Sequence, residues 1–282
     1  MGVEIWLEDN SHPGMDASGL SAGISQGISA KEFGALKVLV GCKRGRASDV
    51  FRISETKDQC GRVECRGDWS RVDNVAAGLT TGVVEVHSSV GIGACRGMRG
   101  GSCHVFGNAG DCLGESMSGG NILVDGNAGA RAGGPAAGAT SGLNRGSIVV
   151  RGNCGRYAGM RMRRGTLAVG GDCGELAGYE MRGGNLIIGG RAGELAGQGM
   201  RRGTIVLLTP PQAMDDGMRS TGTFANSFHR MLGRTMEWSC LNSTRRWPDQ
   251  FEIWAGDWLY GSKGEIVVAC VTPNIQARNA SE

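Results

Sequence analysis

The chain has 282 residues, of which 51 are glycine and 6 proline, with 40% hydrophobic and 5% aromatic residues and a formal net charge of +3. So much glycine without a glycine at every third position and without abundant proline excludes collagen, and the short valine and isoleucine clusters between the glycines exclude a disordered tract. The small net charge excludes a strongly basic nucleic-acid binder, and no apolar run approaches the roughly 18 residues of a membrane span.

The start, MGVEIWLEDN, has neither the basic nor the apolar region of a secretory leader, so a soluble, cytoplasmic protein with reduced thiols is expected. None of the ten cysteines falls in a C-x-x-C pair, which argues against a zinc ribbon or a ferredoxin-type cluster. An irregular stretch, DNSHPGMDASGLSAGISQG, comes first. KEFGALKVLVG and DVFRIS then read as a short helix or turn followed by two strands, so residues 1–75 are expected to form an N-terminal capping segment.

From there the chain repeats. Gly82, Gly101, Gly120, Gly146, Gly165, Gly184 and Gly203 are spaced by nineteen residues, except for one interval of twenty-six between Gly120 and Gly146. The seven extra residues lie within AGGPAAGATSGLNRG, which suits a protruding loop. Two and four residues after each of these anchor glycines stands an apolar residue, from Val84 and Val86 to Ile205 and Leu207, the period-two signature of a strand with one buried face. Three before each anchor stands Leu79, Met98, Met117, Leu143, Met162, Met181 or Met200. A nineteen-residue unit with one short strand and several turns is too short for a helical repeat. It predicts an all-β fold: a right-handed parallel β-helix of about seven coils over residues 76–208, with like positions stacked about 4.8 Å apart as ladders. GIGACRG at Gly91 to Gly97 resembles a dinucleotide fingerprint, but a strand follows where a helix would have to open.

Residues 209–282 are expected to cap the other end with small mixed α/β elements. Pro210 and Pro211 break the repeat, STGTFANSFHRMLGR reads as a helix, and FEIWAGDWLYGSKGEIVVACV reads as a hairpin turning at Gly261 to Gly264.

The ladders direct attention to three features. The methionines, and Cys154 and Cys173 at one shared register, are accounted for by core packing. Arg99, Arg163, Arg182 and Arg201 all fall two before an anchor, with Arg164 and Arg202 beside two of them. Stacked like charges repel, so these arginines form either a solvated edge paired to Glu175, Glu180 and Glu194 or a track for an acidic polymer or partner. Between Gly91 and Ile205 there are thirteen arginines, no lysine and seven acidic residues, which makes this span locally cationic in the side chain best suited to carboxylates and phosphates. Three after the anchor, on the outward side of the alternation, come Leu123, Val149, Ala168, Ile187 and Val206. An apolar ladder of that length predicts cover by the C-terminal segment or a docking face for another protein chain, with Leu123, Val149, Ile187 and Val206 as its members. His12, His87, His104 and His229 show no metal-ligand spacing, although His87 and His104 lie on adjacent units. No catalytic residue, metal site or covalently bound cofactor is expected from these patterns.

The pattern G-x-x-G-x-x-x-G in GNCGRYAG, GDCGELAG and GRAGELAG resembles the glycine-repeat domain found in two groups. One is the C-terminal domain of the glutamate synthase large subunit. The other is the glycine-repeat subunit of formylmethanofuran dehydrogenase, with its counterpart in the bacterial formyltransferase/hydrolase complex. The likeness is strongest over residues 75–208. The flanks GALKVLVGCKRGRASDVFRI and FEIWAGDWLYGSKGEIVV resemble those of the second group more loosely. This resemblance implies a non-catalytic scaffold subunit in a methylotrophic one-carbon complex that interconverts formyl-tetrahydromethanopterin, a formyl-furan carrier and formate. It implies metallo-hydrolase-like, formyltransferase and dehydrogenase-like sister subunits, and no nucleic acid or membrane partner. Furan carriers of this type, methanofuran among them, have glutamyl tails, so contact of the tail with Arg163, Arg182 and Arg201 is a further implication. Two other readings remain: the glycine-repeat subunit of a tungsten or molybdenum formylmethanofuran dehydrogenase, and a stand-alone β-helical module for acidic polymers.

Overall fold

The computed structural model describes residues 2–7, 14–56, 61–211, 214, 217–224, 248, 250–256, 261 and 263–270. The structure is mostly sheet with few helices. The strands foreseen after each anchor glycine form as β8 (Val83–Val86), β9 (Ser102–Val105), β10 (Asn121–Val124), β11 (Ser147–Val150), β12 (Thr166–Val169), β13 (Arg182–Ile188) and β14 (Arg202–Leu207). Each pairs parallel with the next, so Val84, Cys103, Ile122, Ile148, Leu167, Leu186 and Ile205 form one inward column.

The inward columns are the core. Leu79, Met98, Met117, Leu143, Met162, Met181 and Met200 are fully buried against them. Burial of one such side chain contributes roughly 2 kcal/mol. The anchor glycines make the turn into each strand. Gly184 has φ +87°, and a Cβ there would stand 2.7 Å from Met162 Cε and 2.9 Å from the Gly165 carbonyl oxygen.

A second parallel ladder runs along the turns, with bridges Val90↔Ala109↔Ala128↔Cys154↔Cys173↔Ala192. Beside it the side chain two residues before each following glycine accepts the N–H of its counterpart in the next unit. Ser89 takes Asn108 (3.0 Å), Asn108 takes Asn127 (2.8 Å), Asn127 takes Asn153 (2.8 Å), Asn153 takes Asp172 (2.7 Å) and Asp172 takes Arg191 (2.6 Å). These bonds satisfy turn amides that the sheet does not reach.

The sheet runs past both ends of the glycine repeat. Before β8 come β6 (Arg62–Gly67) and β1 (Gly2–Leu7), both parallel, and then β5 (Arg52–Thr56), antiparallel. After β14 comes β17 (Gly264–Ala269), parallel, with β16 (Phe251–Ala255) and β15 (Arg219–Phe224) antiparallel beyond it. Gly264 sits in register with Gly203 and meets Met200 as the anchor glycines meet their own methionines, so β17 occupies the next rung from sixty-one residues away. β16 and β17 are the two strands of the expected hairpin.

Part of the helix expected over STGTFANSFHRMLGR is instead strand. Residues 220–224 belong to β15, where alternation against β16 outweighs local helix preference, and residues 225–234 lie outside the described residues.

At the N-terminal end a small sheet holds β2 (Met15–Asp16), β3 (Lys37–Val40), β4 (Lys43–Arg46) and β7 (Val72–Asp73) in the order β4-β3-β2-β7. It joins the turn ladder directly: Gly91 donates to the Val72 carbonyl at 2.9 Å and Ile92 donates to Asp73 Oδ1 at 2.7 Å. Two short helices accompany it, α1 (Ser21–Gln26) and α2 (Ala30–Gly34). α2 starts at a capping box in which Ser29 and Glu32 satisfy each other's backbone amides. The segment KEFGALKVLVG is thus helix then strand, as read from the sequence, but its strand and the DVFRIS strand lie in different sheets.

Candidate binding surfaces

The arginine edge is exposed along its length. Arg99, Arg163, Arg164, Arg182, Arg201 and Arg202 all face solvent. Their backbones are fixed by the stack: Arg163, Arg182 and Arg201 donate N–H to the Leu143, Met162 and Met181 carbonyls at 2.9, 2.8 and 2.7 Å. Between β13 and β14 the register shifts, so Arg182 stands opposite Arg202 before the strands realign at Asn185 and Thr204. The shift brings the two arginine columns side by side at the C-terminal end. Two like charges about 4 Å apart in water repel by about 1 kcal/mol, a cost that an anion between them removes. Glu180, one of the carboxylates expected to neutralise the edge, is taken by Arg161 at 2.7 Å. That hydrogen bond, with Arg182 contributing at longer range, holds the Glu180 carboxyl below the usual carboxylate range. Glu175 and Glu194 are exposed.

The outward ladder of the long sheet changes character along its length. Its rungs are Glu4, Glu64, Glu85, His104, Leu123, Val149, Ala168, Ile187, Val206 and Val267. Ile187 and Val206, expected in a docking face, are completely buried within the chain. They cluster with Ala168, Phe251, Val267 and Ala269, so the C-terminal strands supply apolar neighbours and these two side chains are not available to another protein chain. Leu123 and Val149 are half-buried.

Toward the N-terminal end the same face carries three glutamates tied by arginines. Arg66 reaches Glu4 at 2.6 Å and Glu64 at 2.9 Å, and Arg62 reaches Glu85 at 2.7 Å. His87 and His104 do come together, but through Phe106, whose ring stacks on them at 4.7 and 3.9 Å between centroids. His104 Nε2 lies 3.1 Å from Asp125, which Arg151 approaches at 2.8 Å from the other side. The repeat places His87 and His104 on adjacent units, but it gives no hint of Phe106, Asp125 and Arg151, because the cluster draws on two outward columns whose residue types vary from rung to rung.

No group of three His, Cys, Asp or Glu side chains among the described residues is arranged to hold a metal ion. Cys154 and Cys173 are buried on adjacent rungs, and their mutual hydrogen bond, then burial, push the Cys173 thiol up. Cys95 is raised in the same way by Cys103, and Cys65 by burial, which disfavours thiolate and hence nucleophilic chemistry at these sulfurs. Glu115 is buried between Arg96, at 2.6 Å, and Arg131, at 3.4 Å, and Arg131 also donates to the Pro135 carbonyl at 2.8 Å. This clamp fixes the base of the inserted loop. No helix among the described residues is long and apolar enough to cross a membrane.

Stacked parallel strands with a cationic edge and charges tied into pairs define a mostly-sheet protein built on a repeated unit. Comparison with solved structures gives that class a particular neighbour. The chain is similar, at a TM-score of 0.84 and 28% identity over 95% of its length and 100% of the other chain, to a chain in the crystal structure of the formyltransferase/hydrolase complex (FhcABCD) from Methylorubrum extorquens in complex with methylofuran. No protein-family model matches the sequence, and no curated protein does.

Proposed function

We propose that the chain is the non-catalytic, glycine-repeat scaffold subunit of a formyltransferase/hydrolase complex that interconverts formyl-tetrahydromethanopterin, a formyl-furan carrier and formate. The observation that carries this reading is the structural match along nearly the whole of both chains. The glycine repeats GNCGRYAG, GDCGELAG and GRAGELAG point the same way independently. The stack itself is read as a right-handed β-helix, supported by its continuous parallel pairing and second ladder, since parallel connections within one sheet are right-handed in about 98% of cases. Its partners are metallo-hydrolase-like, formyltransferase and dehydrogenase-like subunits, and Leu123 and Val149 belong to a docking face.

The arginine edge takes the glutamyl tail of the furan carrier. Its guanidiniums are exposed, held on consecutive rungs and suited to carboxylates. The test is the triple variant Arg163→Gln, Arg182→Gln, Arg201→Gln, expressed in the native host. The expected result is an assembly of unchanged composition that retains several-fold less carrier after a salt wash. Loss of subunits with carrier retained would reassign the edge to an acidic sister subunit. No change in either would end the proposal for these arginines.

A further inference from the structure

The sequence draws attention to arginines two residues before the anchor glycines, but the structure builds a more continuous column of cations one residue closer to them. Arg145, Arg164, Arg202 and Lys263 directly precede Gly146, Gly165, Gly203 and Gly264. In the one unit between them, that of Gly184, the preceding residue is Gly183. The register shift between β13 and β14 fills this gap, because it sets Arg182 opposite Arg202. Arg145, Arg164, Arg182, Arg202 and Lys263 thus supply one exposed cation in each of five successive units. Arg163 and Arg201 stand beside the column. Toward the N-terminal end the run stops, since the unit of Gly120 offers Ser118 and Gly119 at these two places.

Beside the cations runs a row without side chains. Gly146, Gly165, Gly184 and Gly203 are half-buried, and the close approach of successive units keeps them glycine. A Cβ on Gly165 would stand 2.6 Å from the Gly146 carbonyl oxygen, and one on Gly203 would stand 2.9 Å from that of Gly184. On the other side of this floor come Ser147, Thr166 and Asn185, polar and half-buried at the start of their strands. Thr204 ends that row by donating its hydroxyl to Glu265 at 2.6 Å. A shallow trough with one cationic and one polar wall therefore follows the stack axis, across the strands.

Among the described residues none of the five cations is in an ion pair, and Glu180, which acts on Arg182 at longer range, is bonded to Arg161 at 2.7 Å. Cations that recur about every 4.8 Å repel one another along the whole column. A single carboxylate relieves this only locally. A linked row of carboxylates relieves it at every unit, each after the first binding at the high effective concentration set by its tether. The guanidinium fork also matches a carboxylate two oxygens at a time.

We infer that the trough seats a linear run of carboxylates along the stack axis, one at each unit from Arg145 to Lys263, so that the chain selects its ligand by the length of the acidic run. The inference rests on the reading of the arginine edge as the site of a glutamyl tail, and it gives that site an extent, a direction and two further binding residues, Arg145 and Lys263. Five units span roughly 19 Å at about 4.8 Å per unit, which an extended peptide covers with about six residues.

The test is titration calorimetry of the purified full-length chain with synthetic oligoglutamates of two, four, six and ten residues at fixed salt. Affinity is expected to rise at least about tenfold from two residues to six and to change little from six to ten. Arg145→Gln and Lys263→Gln, one at each end of the trough, are each expected to weaken the six-residue ligand several-fold, leaving the two-residue ligand and the unfolding midpoint unchanged. Arg156→Gln removes the same charge from an exposed position beside the turn ladder and is expected to alter neither. Equal affinity for two and six residues, or end variants that behave like Arg156→Gln, would overturn the inference while leaving the arginine edge as an anion site. Tenfold tighter binding of an inorganic polyphosphate of equal charge would overturn the assignment to carboxylates. No binding at any length by a chain with an unchanged unfolding midpoint would overturn the reading of the edge as a tail site and this inference with it.

Discussion

Replacing Gly184 with alanine tests the stacking geometry at a close approach of two successive units. Gly184 has φ +87°, a conformation that costs an L-residue about 1–2 kcal/mol. Its new Cβ would also stand 2.7 Å from Met162 Cε and 2.9 Å from the Gly165 carbonyl oxygen. The methionine is flexible, but the carbonyl is held by the Asn185 amide at 3.0 Å, so relief requires the two units to separate locally. Overpacking of this kind costs about 1–3 kcal/mol, and the total expected is about 3 kcal/mol. Gly138 in the inserted loop is the control: it has φ +78° with no atom within 4 Å of an added Cβ, so Gly138→Ala should cost only the conformational part, about 1 kcal/mol. Denaturant unfolding of both variants, compared through the midpoint at constant slope, measures the difference. Equal losses at the two positions would show that backbone conformation alone, and not close approach of successive units, makes the anchor glycines obligatory.

Ile187→Asp should lower stability by several kcal/mol because it buries an unpaired charge, whereas Leu123→Asp should leave the unfolding midpoint within about 0.5 kcal/mol and act only on recovery of the assembly. Met162→Ala should cost about 2–5 kcal/mol in the same unfolding assay, since the side chain is fully buried. The Glu180 carboxyl titrates below its ordinary value of 4.5, so its contribution to stability is complete above that value and is lost only as pH falls through the lowered folded value. Arg161→Gln should move the Glu180 midpoint, followed by carboxyl NMR, upward toward 4.5.

The repeat is legible because each unit must solve the same steric problem with the same residues. Gly184 and Met162 recur as Gly203 and Met181, and the spacing alone places seven strands. The outer rungs are not legible. β6 is in register with β8, but Gly61 precedes Gly82 by twenty-one residues, which hides it from a nineteen-residue period. β17 completes the sheet from a position where no local pattern links Gly264 to Gly203. The acceptor ladder has a readable signal in the Asn or Asp two residues before a glycine, as in GNAG, GNCG and GDCG. The outward apolar ladder is recognisable as needing cover, but periodicity cannot say which part the chain buries itself. Ile187 and Val206 are internal while Leu123 and Val149 remain partly open.

Membership of a formyl-transfer assembly is tested most directly by native mass spectrometry of the tagged chain, purified gently from its host. The expected result is recovery with sister subunits, one of them metallo-hydrolase-like, with a furan-type carrier and without tungsten or molybdenum. A bound pterin metal would move the chain to a formylmethanofuran dehydrogenase, and a lone monomer that binds acidic polymers would contradict membership altogether.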